Sequence, residues 1–430
     1  MELFVHVGLA LRERNLLVRQ SIGGRSMKLF LQFGYGMMQH CRTLISAWGG
    51  GTVVLSPRDL VDGQLRSLAQ DITSEPGGKV WLDPQFYVPH SDHERLRSHA
   101  YFPADFVSGD FFSGPGLQGL LERLSTLNRE LKSDAYVLPG LFASSVDDQW
   151  LSVHAQIADR ARDHADGRPL IATLALSADA VRDGEQVEEV LESAKRWDVA
   201  GFYLVCEHPN GDYLVREPNW LANVLDLTAG LRLAGKRVVI GYCNHQLLPA
   251  SMVGASAICS GTWMNVRSFP PDKFRANYDD EVKQRATWYY CPQALSEYKV
   301  PFLDIAKRQG ILDLMRAPGA LDGGFAEKLF GAAQPTSVGF SEQSAFRHYL
   351  HALHGQVAQV SHATYDEARA ANERILDEAE TLIGRLTSIG VRGQLRDFAE
   401  AVDVGRAAIA LIDSLRGPLL RRNWKAISSA

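Results

Sequence analysis

The sequence predicts an α/β protein, a (β/α)8 TIM-like barrel with an appended, mainly helical C-terminal region. Short runs of β-branched and aromatic residues alternate with stretches of helical periodicity from residue 28 to residue 260, the rhythm of βα repeats. A barrel of this kind takes roughly 250 residues. Polar residues follow many of the strands and no GxGxxG follows the first, which argues against an open doubly wound sheet with a single binding crevice.

Taken in order, residues 28–33 (KLFLQF) form the first strand, followed by Gly34, Tyr35 and Gly36. Glycines just past a strand make a turn or let backbone approach a ligand, and the turn is the simpler role. Gly49, Gly50 and Gly51 lead into the second strand, residues 52–55. They precede a strand, the wrong side for a phosphate cradle, and read as a flexible connection. Ser56 then reads as a helix cap with Pro57 at the first helical position, ahead of a helix over 61–72. The third strand ends at Asp83. A fourth, the short run Phe106-Val107, leads to Asp110. Residues 117–131 carry the i, i+3, i+4 apolar spacing of a helix.

Residues 135–138 make a ninth strand candidate, one too many, and are assigned to an excursion outside the barrel. Helices over 151–164, 186–197 and 221–233 then alternate with strands over 169–177, 201–206, 237–242 and 255–260. The rhythm changes beyond residue 270, where 344–386 and 393–415 are helical. The chain thus divides into an N-terminal extension, 1–26, a barrel, 27–270, and a mainly helical region, 271–430.

Composition is that of an ordinary globular protein, 46% hydrophobic and 22% charged in 430 residues. A formal charge of −5 supplies no general attraction for nucleic acid, so any polyanion contact must come from a local basic patch. The five cysteines, Cys41, Cys206, Cys243, Cys259 and Cys291, are scattered without a CxxC, which fits a reduced, cytoplasmic protein. Residues 1–17 carry polar residues throughout and do not read as a signal peptide, and no apolar run is long enough for a membrane span.

Chemistry is expected where strands end, since loops after the strands of a parallel barrel form its active face. Asp83, Asp110, Glu207, His245, Asn265 and Arg267 all fall just past predicted strands, with Phe86, Tyr87, Phe111 and Phe112 beside the two aspartates. Paired carboxylates suit glycosyl transfer, where one ionised group stabilises an oxocarbenium-like transition state and the other, its pKa raised, protonates the leaving group. The aromatics suit stacking on a planar base. Each residue also has a plainer reading: Asp83 and Asp110 as turn or capping residues, Glu207 and Arg267 as an ion pair across the mouth, and the aromatics as core. His348, His351 and His354 are spaced along one helix and could ligate zinc. No cysteine pattern accompanies them, and neither metal nor cofactor is expected.

These features resemble the tRNA-guanine transglycosylase superfamily, particularly the branch that places 7-deazaguanines in DNA. The resemblance rests on the strands ending at Asp83 and Asp110, the order of the later strands, Asn265-Val266-Arg267 after the last of them, and the segment Phe346–His351 with the helix that follows. It implies exchange or cleavage of the N-glycosidic bond of guanine or 7-deazaguanine in nucleic acid, with Asp83, Asp110 and Glu207 catalytic. Phe86, Tyr87, Phe111, His245, Asn265 and Arg267 would bind the substrate. Partners would be nucleic acid, a purine-type base and a protein that opens or nicks the duplex. Departures are specific. The family's nucleophilic aspartate falls near Ile258 or Cys259, its base-reading glutamine near Ala175, and its CxCxxC zinc site is absent. Two other functions remain open at this point: a non-catalytic barrel subunit that binds nucleic acid or a partner, and a barrel hydrolase acting on a small metabolite.

Overall fold

A computed structural model describes residues 26–104, 106, 109–276, 278 and 286–429. Its centre is a nearly closed parallel barrel. The strands are β1 (Lys28–Gln32), β2 (Gly51–Leu55), β3 (Gly78–Leu82), β4 (Tyr136–Val137), β5 (Phe142–Ala143), β6 (Leu170–Leu176), β7 (Gly201–Cys206), β8 (Arg237–Ile240) and β9 (Ala257–Ser260). They are ordered β3-β2-β1-β9-β8-β7-β6-β4, with β5 also on β6. Across the remaining gap, the Asp134 N–H donates to the Val80 carbonyl at 3.0 Å and the Phe142 N–H to the Tyr87 carbonyl at 2.9 Å.

Two of the sequence expectations are corrected here. Residues 135–138 are no excursion; they supply β4. Together β4 and β5 fill one barrel position, because both pair with β6. Tyr136 faces Leu170 while Phe142 faces Ala175, so one extra residue bulges out between them. Thr173 Oγ1 donates to the Leu138 carbonyl at 2.7 Å across this bulge, and a Cβ on Gly140 would lie 2.8 Å from Thr173. Pro139 and the bulge hide the strand from a pattern search. Conversely, Phe106 is not in a strand, and Val107 lies outside the described residues. Phe106 instead packs edge-on to Phe86 at 5.7 Å and against Phe111 at 4.8 Å. Phe106 covers a loop rather than pairing in a sheet.

Helices follow the strands as amphipathic covers. α1 (Met38–Trp48) buries His40, Cys41, Leu44 and Ile45 and ends at Gly49, whose φ of 68° suits a residue without Cβ. Gly49–Gly51 therefore form a defined turn, with a Cβ on Gly50 only 2.9 Å from the Gly77 carbonyl oxygen. The next helix, α2 (Asp62–Ser74), begins later than Ser56 would suggest, because residues 57–59 form a turn and Val61 stands at the helix start. α3 (Pro115–Glu130), α4 (Asp148–Ala161), α5 (Gly184–Ala194) and α6 (Pro218–Leu233) complete the outer layer.

A hairpin, β10 (Trp288–Cys291) and β11 (Ser296–Lys299), opens the C-terminal region. Three long helices end it: α7 (Glu342–Gln359), α8 (Tyr365–Ser388) and α9 (Ala399–Ser429). Thr364 and Glu367 form a capping box at the start of α8. α9 lies along α6, with the Arg416 guanidinium donating to both Asp226 oxygens at 2.7 and 3.0 Å and Arg232 donating to the Ile427 carbonyl. Arg416 thereby helps pack this helix on the barrel. Among the described residues, no helix is long and apolar enough to cross a membrane.

Candidate active site

The barrel's C-terminal mouth holds two buried polar clusters. One is centred on Asp83, the residue that follows β3. Its side chain is fully buried. One oxygen accepts from the Gln85 N–H at 2.9 Å, and the other accepts from the Tyr87 hydroxyl at 2.8 Å and the Tyr242 hydroxyl at 3.1 Å. Burial pushes the carboxyl from 3.8 up to about 6, and these donors only partly oppose it. Gln85 extends the network. Its amide donates to Ser56 Oγ at 2.8 Å and to the Tyr242 hydroxyl at 3.1 Å, and Ser56 in turn donates to Asp59 at 2.8 Å. Buried Lys273 stands 3.6 Å from Asp59.

Two backbone positions in this network are unusual. Gln85 and Tyr242 adopt φ values of 51° and 54°, a left-handed conformation that costs a residue with a Cβ. Such conformations persist where the surroundings fix them, and they gather at functional sites. Here the left-handed turn after β3 folds Gln85 back, so that its N–H and its amide both reach the Asp83 cluster. Deeper in the barrel, Tyr203 donates to Gln32 Oε1 at 2.6 Å, and Gln32 Nε2 is buried without a hydrogen-bond partner. Phe269 and Phe274, from the segment after β9, lie edge-on to Tyr87 at 5.0 and 4.9 Å and close the cluster from above.

The second cluster joins the mouth to the C-terminal region. Arg267, 2% exposed, donates to Glu297 at 3.0 Å, and its Cζ lies over the Tyr349 ring, 3.5 Å from the centroid. Arg396 pairs with the other oxygen of Glu297 at 2.7 Å, and Tyr213 donates to the first at 2.9 Å. Burial would raise the Glu297 carboxyl, but Arg396 and Arg267 overcome it and hold the group at about 2. His245 packs among Tyr213, Tyr290, Tyr349 and Phe398. Burial keeps it neutral, with a pKa near 4, and neither ring nitrogen has a well-formed hydrogen bond.

The expected pair of carboxylates does not form. Asp110 is exposed in a turn whose carbonyl accepts from Ser113, while Asp83 is enclosed. Phe106 lies in a loop rather than a strand, and Asp110 follows it in an exposed turn. Glu207 does follow β7, half-buried, and burial raises its carboxyl above the ordinary range. It accepts from the Ala178 N–H at 3.1 Å, and its backbone bridges to Phe269. It does not pair with Arg267, whose partner is Glu297.

Of the expected binding residues, Tyr87 touches Asp83, while Phe86 and Phe111 belong to the aromatic cluster beneath the loop. His245 and Arg267 meet in the second cluster. Asn265 is half-buried in the turn Met264–Val266 and joins neither cluster. The three helix histidines are dispersed in their roles: His348 bonds the Tyr290 carbonyl, His351 accepts from Trp48, and His354 stacks on Trp48.

Sequence reasoning overlooked Gln32, Ser56, Gln85, Tyr203, Tyr242 and Glu297. Gln32 carried a signal, as a lone amide closing the apolar run KLFLQF. Gln85 did too, two residues past Asp83. Glu297 carried none, because its role depends on the hairpin folding back over the mouth.

No family model matches the chain, and no curated protein does. Solved structures that resemble it include the carboxyl transferase domain of Rhizobium etli pyruvate carboxylase, 10% identical over 92% of this chain and 79% of that one, with a TM-score of 0.37. Another is an O-GlcNAc hydrolase of Thermobaculum terrenum, 10% identical over 94% of this chain and 97% of that one, with a TM-score of 0.35. Likeness at this level carries no chemistry across.

Proposed function

We propose that the chain is a barrel enzyme that exchanges or cleaves the N-glycosidic bond of a guanine or 7-deazaguanine base in nucleic acid, with Asp83 as its proton-transfer group. The observation that carries this reading is the Asp83 carboxyl, enclosed at the end of a barrel strand and pushed up to about 6. A group with such a pKa is populated in both protonation states near neutrality, as general acid–base catalysis requires. Protonated, Asp83 hands its proton to the leaving base as water (cleavage) or the incoming base (exchange) attacks the anomeric carbon; ionised, it takes up the proton that the attacking group sheds. The Gln85 amide beside it supplies a donor for a base carbonyl. Entry of a base requires Phe269 and Phe274 to move aside, and a base held in duplex would have to leave its stack.

Asp110 faces solvent, so a second carboxylate would come from Glu207, which follows β7 half-buried with its carboxyl raised by burial. Cys259, near the position of the family's nucleophile, does not replace it, because burial drives its thiol well above the ordinary range and leaves it protonated. That observation favours a second reading, a barrel subunit that binds a base in nucleic acid without turning it over.

The test is to incubate the protein with labelled guanine or 7-deazaguanine and either tRNA or plasmid DNA. Incorporation into one polymer, lowered about 10²-fold or more in Asp83→Asn, supports the enzyme. Base binding with no incorporation into either polymer supports the second reading.

A further inference from the structure

Residues 269–276, which follow β9, lie over Asp83 and are tied down at both ends. Phe269 bridges through its backbone to Glu207. At the other end, Ser91 Oγ donates to the Phe274 carbonyl at 2.8 Å and the Ala276 N–H donates to the Ser91 carbonyl at 3.2 Å. Phe269 and Phe274 rest on Tyr87, and Phe269 also on Tyr242 at 5.2 Å. Those two tyrosines are the ones whose hydroxyls donate to Asp83.

Lys273 comes from the same turn as Phe274, Pro271–Phe274. Its side chain is 1% exposed, its Nζ stands 3.6 Å from Asp59, and its carbonyl accepts from Arg58 Nε at 2.7 Å. Asp59 belongs to the Asp83 network through Ser56 and Gln85. A buried ammonium is costly unless anions face it. Lys273 faces Asp59, and its charge also favours the ionised form of Asp83. The other titratable groups around Asp83 are Tyr87, Tyr101, Tyr203, Tyr242 and Cys259, all of which burial keeps protonated at neutral pH. Around Lys273 stand Asp59 and Arg58, with His93 beside those two.

An apolar cover strips water from the carboxyl beneath it, and closing over the ionised form is unfavourable unless a cation is enclosed too. The segment that brings the two phenylalanines also brings that cation. We propose that Lys273 is a positioning residue for Asp83: it is the counter-charge with which residues 269–276 shut, as a lid, over the ionised carboxylate. Opening withdraws Phe269, Phe274 and Lys273 together and lets water reach Asp83. The lid's part in turnover, admitting a base to Asp83, rests on the reading given above. Its linkage to the carboxyl does not, and is measured without any base.

Hydrogen exchange at residues 273, 275 and 276 reads the opening, since their N–H groups bond to the carbonyls of Pro270, Asp272 and Ser91. Covered Asp83 holds its proton up to about 6, against 3.8 for the ordinary group. Proton binding therefore favours the closed lid, and this contribution fades as the pH rises through about 6. Corrected for the intrinsic rate, wild-type opening should increase about tenfold from pH 5 to pH 7.5. Asp83→Asn should abolish that increase. Lys273→Met should steepen it about threefold or more, and the added steepness should vanish in the double variant. Lys273→Gln, which stays polar, carries the same expectations where Lys273→Met does not fold. Asp59, Arg58 and His93 are common to all these proteins. An equal increase in wild type and Asp83→Asn, no steepening on loss of the Lys273 charge, or steepening that survives Asp83→Asn would each overturn the proposal. Lost linkage in a protein that still exchanges guanine removes the lid alone; intact linkage without base binding or exchange removes the catalytic reading of Asp83 and leaves the lid.

Discussion

Replacing Asp83 with asparagine separates a raised carboxyl pKa from an ordinary buried hydrogen-bond acceptor. In the folded protein the group is pushed from 3.8 to about 6, chiefly by burial. At 1.36 kcal/mol per pH unit, that interval amounts to about 3 kcal/mol. The sign follows from linkage. The folded state holds the proton more tightly than the unfolded chain, so this contribution is fully present below pH 3.8 and lost as the pH rises through about 6. At neutral pH wild type therefore carries a penalty that the neutral amide does not.

Unfolding entropy of about 2.1 cal/mol/K per residue gives about 0.9 kcal/mol/K for a 430-residue chain that melts in one transition. The penalty then corresponds to about 3 °C. Scanning calorimetry of both proteins from pH 4 to 7.5 reads the difference in Tm. Other ionisable groups are common to the two proteins and cancel. Exchange of a carboxylate oxygen for an amide nitrogen at Tyr87 and Tyr242 adds an offset that does not change with pH. The gap should move in favour of Asp83→Asn by about 2–3 °C across that range. A constant gap would refute the raised pKa and, with it, the acid–base role.

The remaining expectations address other parts of the account. Glu297→Gln leaves Arg267 and Arg396 facing a neutral group and should destabilise the protein by about 3–5 kcal/mol at neutral pH. Because the Glu297 pKa is lowered to about 2, the wild-type advantage is present above the unfolded value of 4.5 and fades as the pH falls toward 2; equal loss at pH 3 and pH 7 in denaturant titrations would contradict this. Asp110→Asn, on an exposed turn, should leave both melting and base exchange unchanged, and a large loss of exchange would restore Asp110 to the site. Gly241→Ala would put a Cβ 2.5 Å from the Tyr203 ring. It should cost about 1–3 kcal/mol by overpacking, measured as a shifted denaturant midpoint; a neutral result would mean that Tyr203 has room to move.

The barrel was legible because its buried strands are unbroken apolar runs, such as residues 201–206, and its helices keep one apolar face, as α3 does. Where chain geometry departs from these periods the pattern failed. The β4–β5 strand is interrupted by Pro139-Gly140 and a bulge, so it read as an excursion, while Phe106-Val107 read as a strand because an aromatic loop cluster has the same composition. Asp83 was found from its place after a strand. The same rule singled out Asp110, but the residue Phe106 before it lies in a loop and Asp110 itself is exposed, so the rule is only as good as the strand it starts from. Tyr242 and Glu297 escaped because a left-handed turn and a hairpin packed over the mouth bring them in, and neither leaves a spacing signal.

Equilibrium dialysis with labelled guanine most directly tests the central claim, that the mouth around Asp83 receives a purine-type base. Saturable binding to wild type, weakened about tenfold or more in Asp83→Asn and unaffected by Asp110→Asn, is the predicted result. No saturable binding, or binding indifferent to Asp83, would contradict it.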